Sequence, residues 1–180
     1  MPTISSTRCC DLIALTCHPD SRPAADLRVL AQASRTGRSI RVHYAVEGDL
    51  GRLRIPPPRP PRPGERLWQH SCCELFVARE GMSAYHEFNF SPSGEWAAYA
   101  FTDYRQGGPL AVQDPGIAVQ AAAQKLELAA SVEVSIQKNL LVGLCAVIED
   151  GHGKLSYWAL RHAPGKPDFH HRDGFALELA

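Results

Sequence analysis

Glu74, Glu87 and Asn89 are the residues of this chain best suited to recognition chemistry. They fall within Leu67 to Arg105, LWQHSCCELFVAREGMSAYHEFNFSPSGEWAAYAFTDYR, together with Trp68 and Trp96. Carboxylates and an amide make directional hydrogen bonds to hydroxyl groups, and an indole offers an apolar plane for a ring to lie on. Whether these groups meet depends on two hairpins. A tip at Glu80-Gly81 sets Glu74 opposite Glu87, Phe76 opposite Tyr85 and Cys72 opposite Asn89. On the other face the same tip sets Cys73 opposite Phe88, Leu75 opposite His86 and Val77 opposite Ala84. A four-residue turn at Ser91-Pro92-Ser93-Gly94 then sets Asn89 opposite Trp96 and Glu87 opposite Ala98. On these registers one sheet face gathers Glu74, Glu87, Asn89, Trp96, Phe76 and Tyr85, and a slip of one residue would scatter them.

Like charges directly opposite in a β-ladder are destabilising. The paired glutamates therefore need an offset: solvent, a neighbouring arginine, a bound cation, a shared proton or a polyhydroxylated ligand. Two readings stand side by side, a ligand-binding face and a solvated outer face with two tolerated acids. A third is enzymatic. Retaining glycosidases hold two carboxyls about 5 Å apart, which would make Glu74 and Glu87 an acid/base and a nucleophile. Nothing else in the chain supports catalysis, and no catalytic residue is assigned.

Other reactive side chains are less organised. The six cysteines fall at Cys9-Cys10, Cys17, Cys72-Cys73 and Cys145, without a Cys-x-x-Cys pair. They read as reduced, buried structural thiols rather than a zinc site or a disulfide framework. His162, His170 and His171 cluster with Asp168, Arg172 and Asp173; His and Asp can ligate metal, but here at no diagnostic spacing. The alternative is a polar loop leading into the last strand; folded over the glutamate face, that loop brings His170 and His171 to a ligand. No phosphate-binding glycine loop and no Gly-x-Ser-x-Gly elbow is present. Lys and Arg number 19, as do Asp and Glu, so the net charge is zero. That balance argues against nucleic acid as a partner, despite a local patch at Arg52, Arg54, Arg59 and Arg62.

The elements that must position these groups are strands. Ile40, Val42, Tyr44 and Val46 alternate with polar neighbours, and so do Leu126, Leu128, Ala130, Val132 and Val134. Leu141–Ile148 is continuously apolar, as a central strand would be. Asp150-Gly151-His152-Gly153 is a turn, with Lys154–His162 resuming as a strand and Phe175–Leu179 closing the chain. Asp11–Cys17 and Leu27–Ser34 are weaker strand candidates, the second also readable as a turn of helix. Pro56 to Pro63 carries six prolines and two arginines and ends at Gly64. This stretch must be extended, and it reads as a stiff loop between strands or, less readily, as a proline-rich ligand for a protein partner. With 180 residues, 44% hydrophobic content, 14 Gly and 14 Pro, the expectation is one domain over residues 1–180. Its fold class is an all-β antiparallel β-sandwich of about ten strands, jelly-roll or immunoglobulin-like, with little helix. The N-terminal stretch lacks a charged start and a sustained apolar run, and no apolar run is long enough to span a membrane. The expectation is therefore a cytoplasmic protein without a membrane partner.

The run Trp68, Ser71-Cys72-Cys73-Glu74-Leu75-Phe76 and Tyr85-His86-Glu87-Phe88-Asn89-Phe90-Ser91-Pro92-Ser93-Gly94-Glu95-Trp96 resembles the DOMON-like superfamily. Within that superfamily it resembles bacterial proteins related to carbohydrate-binding module family 9. Lys166-Pro167-Asp168-Phe169-His170-His171-Arg172-Asp173-Gly174-Phe175 is similar to the end of the same pattern. The resemblance implies an antiparallel β-sandwich that binds sugars, held largely by tryptophans, or haem in other branches. Together with the face that the registers gather, it makes Trp68, Glu74, Glu87, Asn89, Trp96, His170 and His171 the expected ligand-binding set, with carbohydrate or another small polar molecule as partner. No cofactor is expected. Haem is the alternative the superfamily offers and Ca²⁺ a further one, but haem branches use Met and His ligands, and here the methionines are Met1 and a hairpin-turn residue, Met82.

Overall fold

The computed structural model describes residues 4–5, 12–23, 26–135 and 139–179. Cys9, Cys10, Asp11 and Met1 lie outside them. Strands are numbered in chain order. The larger sheet contains β1 (Ile4–Ser5), β3 (Thr16–Cys17), β6 (Arg62–Pro63), β7 (Cys72–Arg79), β8 (Tyr85–Phe90), β9 (Glu95–Asp103), β10 (Gln106–Pro109), β13 (Leu140–Glu149), β14 (Leu155–Ala159) and β15 (Leu177–Leu179). Its main path runs β1-β15-β13-β7-β8-β9-β10, with β14 pairing both β13 and β3, and β6 pairing β9. The smaller sheet has β2 (Ile13–Ala14), β4 (Leu27–Thr36), β5 (Ser39–Gly48), β11 (Ala118–Ala122) and β12 (Lys125–Glu133), in the order β11-β12-β5-β4-β2. Nearly every pairing is antiparallel; β1 with β15 and β6 with β9 are parallel. The only helical pieces among the described residues are four three-residue 3₁₀ turns.

The two sheets close on each other over one core. Val29, Ile40, Val42 and Tyr44 of the smaller sheet meet Leu75, Val77, Phe88, Val142 and Leu144 of the larger. Burying a side chain of this size is worth about 1.5–3 kcal/mol relative to leaving it exposed. The Tyr44 hydroxyl, fully inside, donates to the Glu74 carbonyl at 2.7 Å, so its polar tip is not orphaned. The β12 sequence alternates buried and half-buried residues because its outer face meets water. By contrast, β7 is buried at seven of its eight positions. The cause is a second cluster on the outer face of the larger sheet, where Phe169 and Phe175 from the C-terminal segment cover Phe76, Ala78, Tyr85, Cys145 and Val147. The reading of that face as solvated is therefore overturned: Glu74 is 3% exposed and Glu87 5%.

Both hairpin registers differ from the sequence expectation, with different consequences. The first hairpin has a five-residue loop, Glu80–Ala84, with Gly81 at φ +75. Glu74 therefore faces Asn89, Phe76 faces Glu87 and Ala78 faces Tyr85. This is a shift of two partners, and an even shift leaves every side chain on its expected face. The second hairpin has a three-residue loop, Pro92–Gly94. Ser91 N–H donates to Glu95 O at 2.9 Å, and Gly94 takes φ +91, a conformation glycine reaches without a Cβ penalty. The partners move by one, so Asn89 faces Ala97, Glu87 faces Tyr99 and Phe90 faces Trp96. An odd shift exchanges the faces of β9. Trp96 is turned to the inner side with Phe90, and Tyr99 and Phe101 take its place on the outer face.

Smaller corrections follow the same logic. Leu27–Thr36 is a strand paired along its length with β5, not a helical turn. The last strand is only Leu177–Leu179, preceded by a 3₁₀ turn at Arg172–Gly174. The proline-rich segment is extended as expected and is fastened to the sheet through β6. Arg59 N–H donates to Ser93 O at 2.8 Å and Gly64 N–H to Trp96 O at 2.7 Å. The described cysteines are free, with Cys72, Cys73 and Cys145 buried; burial pushes all three thiols up, away from reactivity.

Candidate functional site

The outer face of the larger sheet holds a cavity of about 340 Å³. Its floor is Glu74 from β7 and Glu87 from β8, with Asn89 beside them. Register places Asn89 directly across from Glu74 and two residues along its own strand from Glu87. The walls are aromatic: Trp68 from the 3₁₀ turn Leu67–Gln69, Tyr99 and Phe101 from β9, Tyr157 from β14 and Phe169 from the returning C-terminal segment. His170 and Arg105 complete the polar part of the lining. Trp68 stands at 39% exposure with its ring edge-on to Tyr99, centroids 5.9 Å apart.

The floor is polar, buried and only partly satisfied. Asn89 Nδ2 donates to Glu87 Oε1 at 2.8 Å. Asn89 Oδ1 and Glu74 Oε1 are buried without a hydrogen-bond partner in the protein. Unpaired buried polar atoms are costly, and an adjacent pair of them marks a place where something else bonds. Burial pushes the Glu74 carboxyl well above the usual carboxylate range, and the nearby Glu87 charge adds to it. Burial raises Glu87 too, opposed by the Asn89 hydrogen bond and the Arg105 charge. Both carboxyls accordingly keep their protons to higher pH than an exposed carboxylate does.

His170 is fixed by a relay. Arg105 N–H donates to the Tyr85 hydroxyl at 3.1 Å, and that hydroxyl lies 2.8 Å from His170 Nδ1. Nδ1 and the phenol thus share one hydrogen bond, and Nε2 points to Glu87 Oε2 at 3.6 Å. Burial and the Arg105 charge push the imidazole down to about 4, against the pull of Asp168. His170 is therefore neutral, and its approach to Glu87 is not a salt bridge. Asp168 organises this corner. It receives Arg105 Nη2 at 2.9 Å, the Tyr104 hydroxyl at 2.7 Å and the His170 N–H at 3.0 Å.

Of the residues singled out from the sequence, Trp68, Glu74, Glu87 and His170 line the cavity and Asn89 supports its floor. Trp96 does not join them, because the shorter second turn faces it inward. His171 also stands apart: its side chain is 45% exposed and its Nδ1 accepts from Asp173 N–H at the start of the last 3₁₀ turn. Met82 is 51% exposed in the first hairpin loop and does not line the cavity. Sequence reasoning missed Tyr99, Phe101, Arg105, Tyr157 and Phe169. The first two follow from alternation along β9 once the turn is counted as three residues. Arg105 sits in the turn that follows β9, while Tyr157 and Phe169 come from distant parts of the chain and leave no local signal.

No protein-family model and no curated protein matches the chain. Among solved structures, it is similar to a candidate carbohydrate-binding protein from Bacteroides uniformis, at 18% identity and TM-score 0.69 over 94% of this chain and 86% of that one. It is also similar to a family 9 carbohydrate-binding module from Caldicellulosiruptor kristjanssonii in complex with cellotriose, at 9% identity and TM-score 0.61, covering 94% and 82% of the two chains. A glucose complex of such a module from the same organism matches at 9% identity and TM-score 0.54, covering 88% and 79%. At these identities the likeness is one of fold: this chain has a β-sandwich like that of the family 9 modules.

Proposed function

We propose that this protein is a non-catalytic carbohydrate-binding β-sandwich and that its ligand occupies the cavity over Glu74 and Glu87. The observation that carries the reading is the combination of aromatic walls with a buried, under-satisfied polar floor. Sugar rings present apolar C–H faces and a rim of hydroxyls. Trp68 and Tyr99 suit the first, while Glu87, Asn89 and neutral His170 suit the second. The volume agrees with a small ligand rather than a long polymer threaded through the fold. The glucose and cellotriose bound by family 9 modules of like fold support the same reading. The DOMON-like resemblance of the central hairpins is carried as part of this proposal.

Recognition would combine stacking on Trp68 at the mouth with hydrogen bonds at the floor. A hydroxyl both donates and accepts, so it can bond Asn89 Oδ1, Glu87 and Glu74 whether or not the carboxyls carry protons. Titration calorimetry with glucose, cello-oligosaccharides and a panel of other monosaccharides tests this. Saturable binding that weakens in Trp68→Ala supports the proposal. Absence of heat and of thermal stabilisation with every sugar overturns it.

A further inference from the structure

Glu74 and Glu87 are two buried carboxyls in one pocket, and the chain sets little positive charge against them. The lining holds one guanidinium, Arg105, which is already engaged by Asp168 at 2.9 Å and by the Tyr104 hydroxyl at 3.3 Å. Every other titratable group facing the pair is neutral or acidic. Cys72 and Cys145 flank it from β7 and β13, Tyr85 and Tyr99 from β8 and β9, and His170 stands above it uncharged. Asp168 lies behind Arg105, and Glu65 bears on Tyr99. Arg172 is turned away, its Nη2 donating to the Arg79 and Met82 carbonyls. The floor's two orphaned atoms, Glu74 Oε1 and Asn89 Oδ1, are acceptors once Glu74 ionises. The floor has more acceptors than free donors, since Asn89 Nδ2 is engaged by Glu87 and the Arg105 guanidinium by Asp168, and it suits a ligand group that supplies both donors and positive charge.

A primary ammonium does so, with three N–H donors and one positive charge. The walls suit it as well, since Tyr99, Phe101, Tyr157 and Trp68 present π-systems that favour a cation and an apolar ring together. A divalent metal is a poorer match. Calcium takes six to eight oxygens, whereas the floor offers oxygens from Glu74, Glu87 and Asn89 beneath aromatic carbon.

We propose that the pocket selects an amino sugar, a pyranose carrying a protonated primary amine that seats among Glu74, Glu87 and Asn89. This inference rests on the carbohydrate reading above. An ammonium seated beside the two raised carboxyls favours their ionised forms, so binding releases protons to solvent, and no covalent bond changes.

Calorimetry at pH 6.5 compares glucosamine, glucose, N-acetylglucosamine and cyclohexylammonium, each in two buffers of different ionisation enthalpy. The expected result is glucosamine about tenfold or more tighter than glucose, with protons released on binding. N-acetylglucosamine, which has lost the charge, falls back to the level of glucose. Glu74→Gln narrows the ratio and reduces the proton release; the wild-type ratio and proton count stand even where that variant folds poorly. Glucose binding as well as glucosamine, without proton release, overturns the inference and leaves the carbohydrate reading intact. Cyclohexylammonium binding while no sugar binds overturns the carbohydrate reading and with it the amino sugar. Binding of none of the four overturns both.

Discussion

Glu74 and Asn89 stand directly opposite each other on neighbouring central strands, and each keeps one side-chain oxygen buried without a partner. In the interior of a sheet covered on both faces, such a pair is a cost to the fold. It is retained where the cavity opens.

Glu74 should make the protein less stable as pH rises. Its carboxyl ionises near 4.5 in the unfolded chain and well above that in the fold, because burial and Glu87 disfavour the charge. The stability attached to its neutral form is full below about pH 4.5 and is lost as pH climbs towards the folded value. Glu74→Gln removes the ionisation at nearly constant shape. At pH 8 it should exceed the wild type by about 1–3 kcal/mol, with the difference shrinking towards pH 4. Urea midpoints across this range decide the matter, and a difference that does not grow with pH sinks the account.

His170 should act with the opposite sign. In the unfolded chain its imidazole takes a proton below about 6.5, whereas in the fold it stays neutral down to about 4. Between those values the unfolded state binds more protons, so stability falls as pH falls. The loss should amount to roughly 2–3 kcal/mol across the window. His170→Gln, which has no such titration, should flatten the acid limb of a plot of stability against pH. An unchanged limb would mean that other groups govern acid unfolding.

How legible all this was depends on which errors a sheet forgives. The alternation of β5 and β12 showed in sequence because one of their faces meets water. The continuous apolar run of β13 showed it as a central strand for the converse reason. Glu74, Glu87 and Asn89 fall on one face in both registers of the first hairpin, because its register differs from the expected one by two residues and an even slip conserves faces. The second loop was miscounted by one, and that alone exchanged Trp96 for Tyr99. Nothing local in Tyr157 or Phe169 says that β14 and the C-terminal segment return over the same face. Burial of that face, and with it the raised carboxyls, is a property of topology rather than of any window of sequence.

The exchange of tryptophan roles predicts two separable phenotypes. Trp68 is 39% exposed at the mouth of the cavity, so Trp68→Ala should weaken sugar binding at least tenfold. Its cost in stability should stay below about 1 kcal/mol. Trp96 is 7% exposed on the inner face of β9. Trp96→Ala should cost about 3–5 kcal/mol of stability. Chemical denaturation and calorimetry on both variants test the assignment. A stable Trp96→Ala protein that has lost its ligand would restore the sequence-based placement and refute the register described above.

Glu95 should hold the proline-rich segment to the sheet. Its carboxylate lies 2.9 Å from Arg62 Nε and 3.5 Å from Arg59 Nη1, and it accepts the Ser93 hydroxyl at 3.0 Å. Burial pushes its pKa up, but the Arg62 and Ser93 hydrogen bonds and the Arg59 charge bring it below the usual carboxylate range. Isolated surface pairs are weak, but two arginines and a hydroxyl on one carboxylate form a network that fixes both ends of a stiff segment. Glu95→Ala should therefore speed hydrogen exchange at the Arg59 and Gly64 amides by tenfold or more, since these donate to Ser93 and Trp96 across the same seam. Exchange at Leu144, deep in the sandwich, should not change. Arg59 and Gly64 amides as protected in the variant as in the wild type would show that the backbone pairing of β6 suffices alone. Faster exchange would show that the two arginines are occupied in holding the loop, which disfavours the segment as a free proline-rich ligand for another protein.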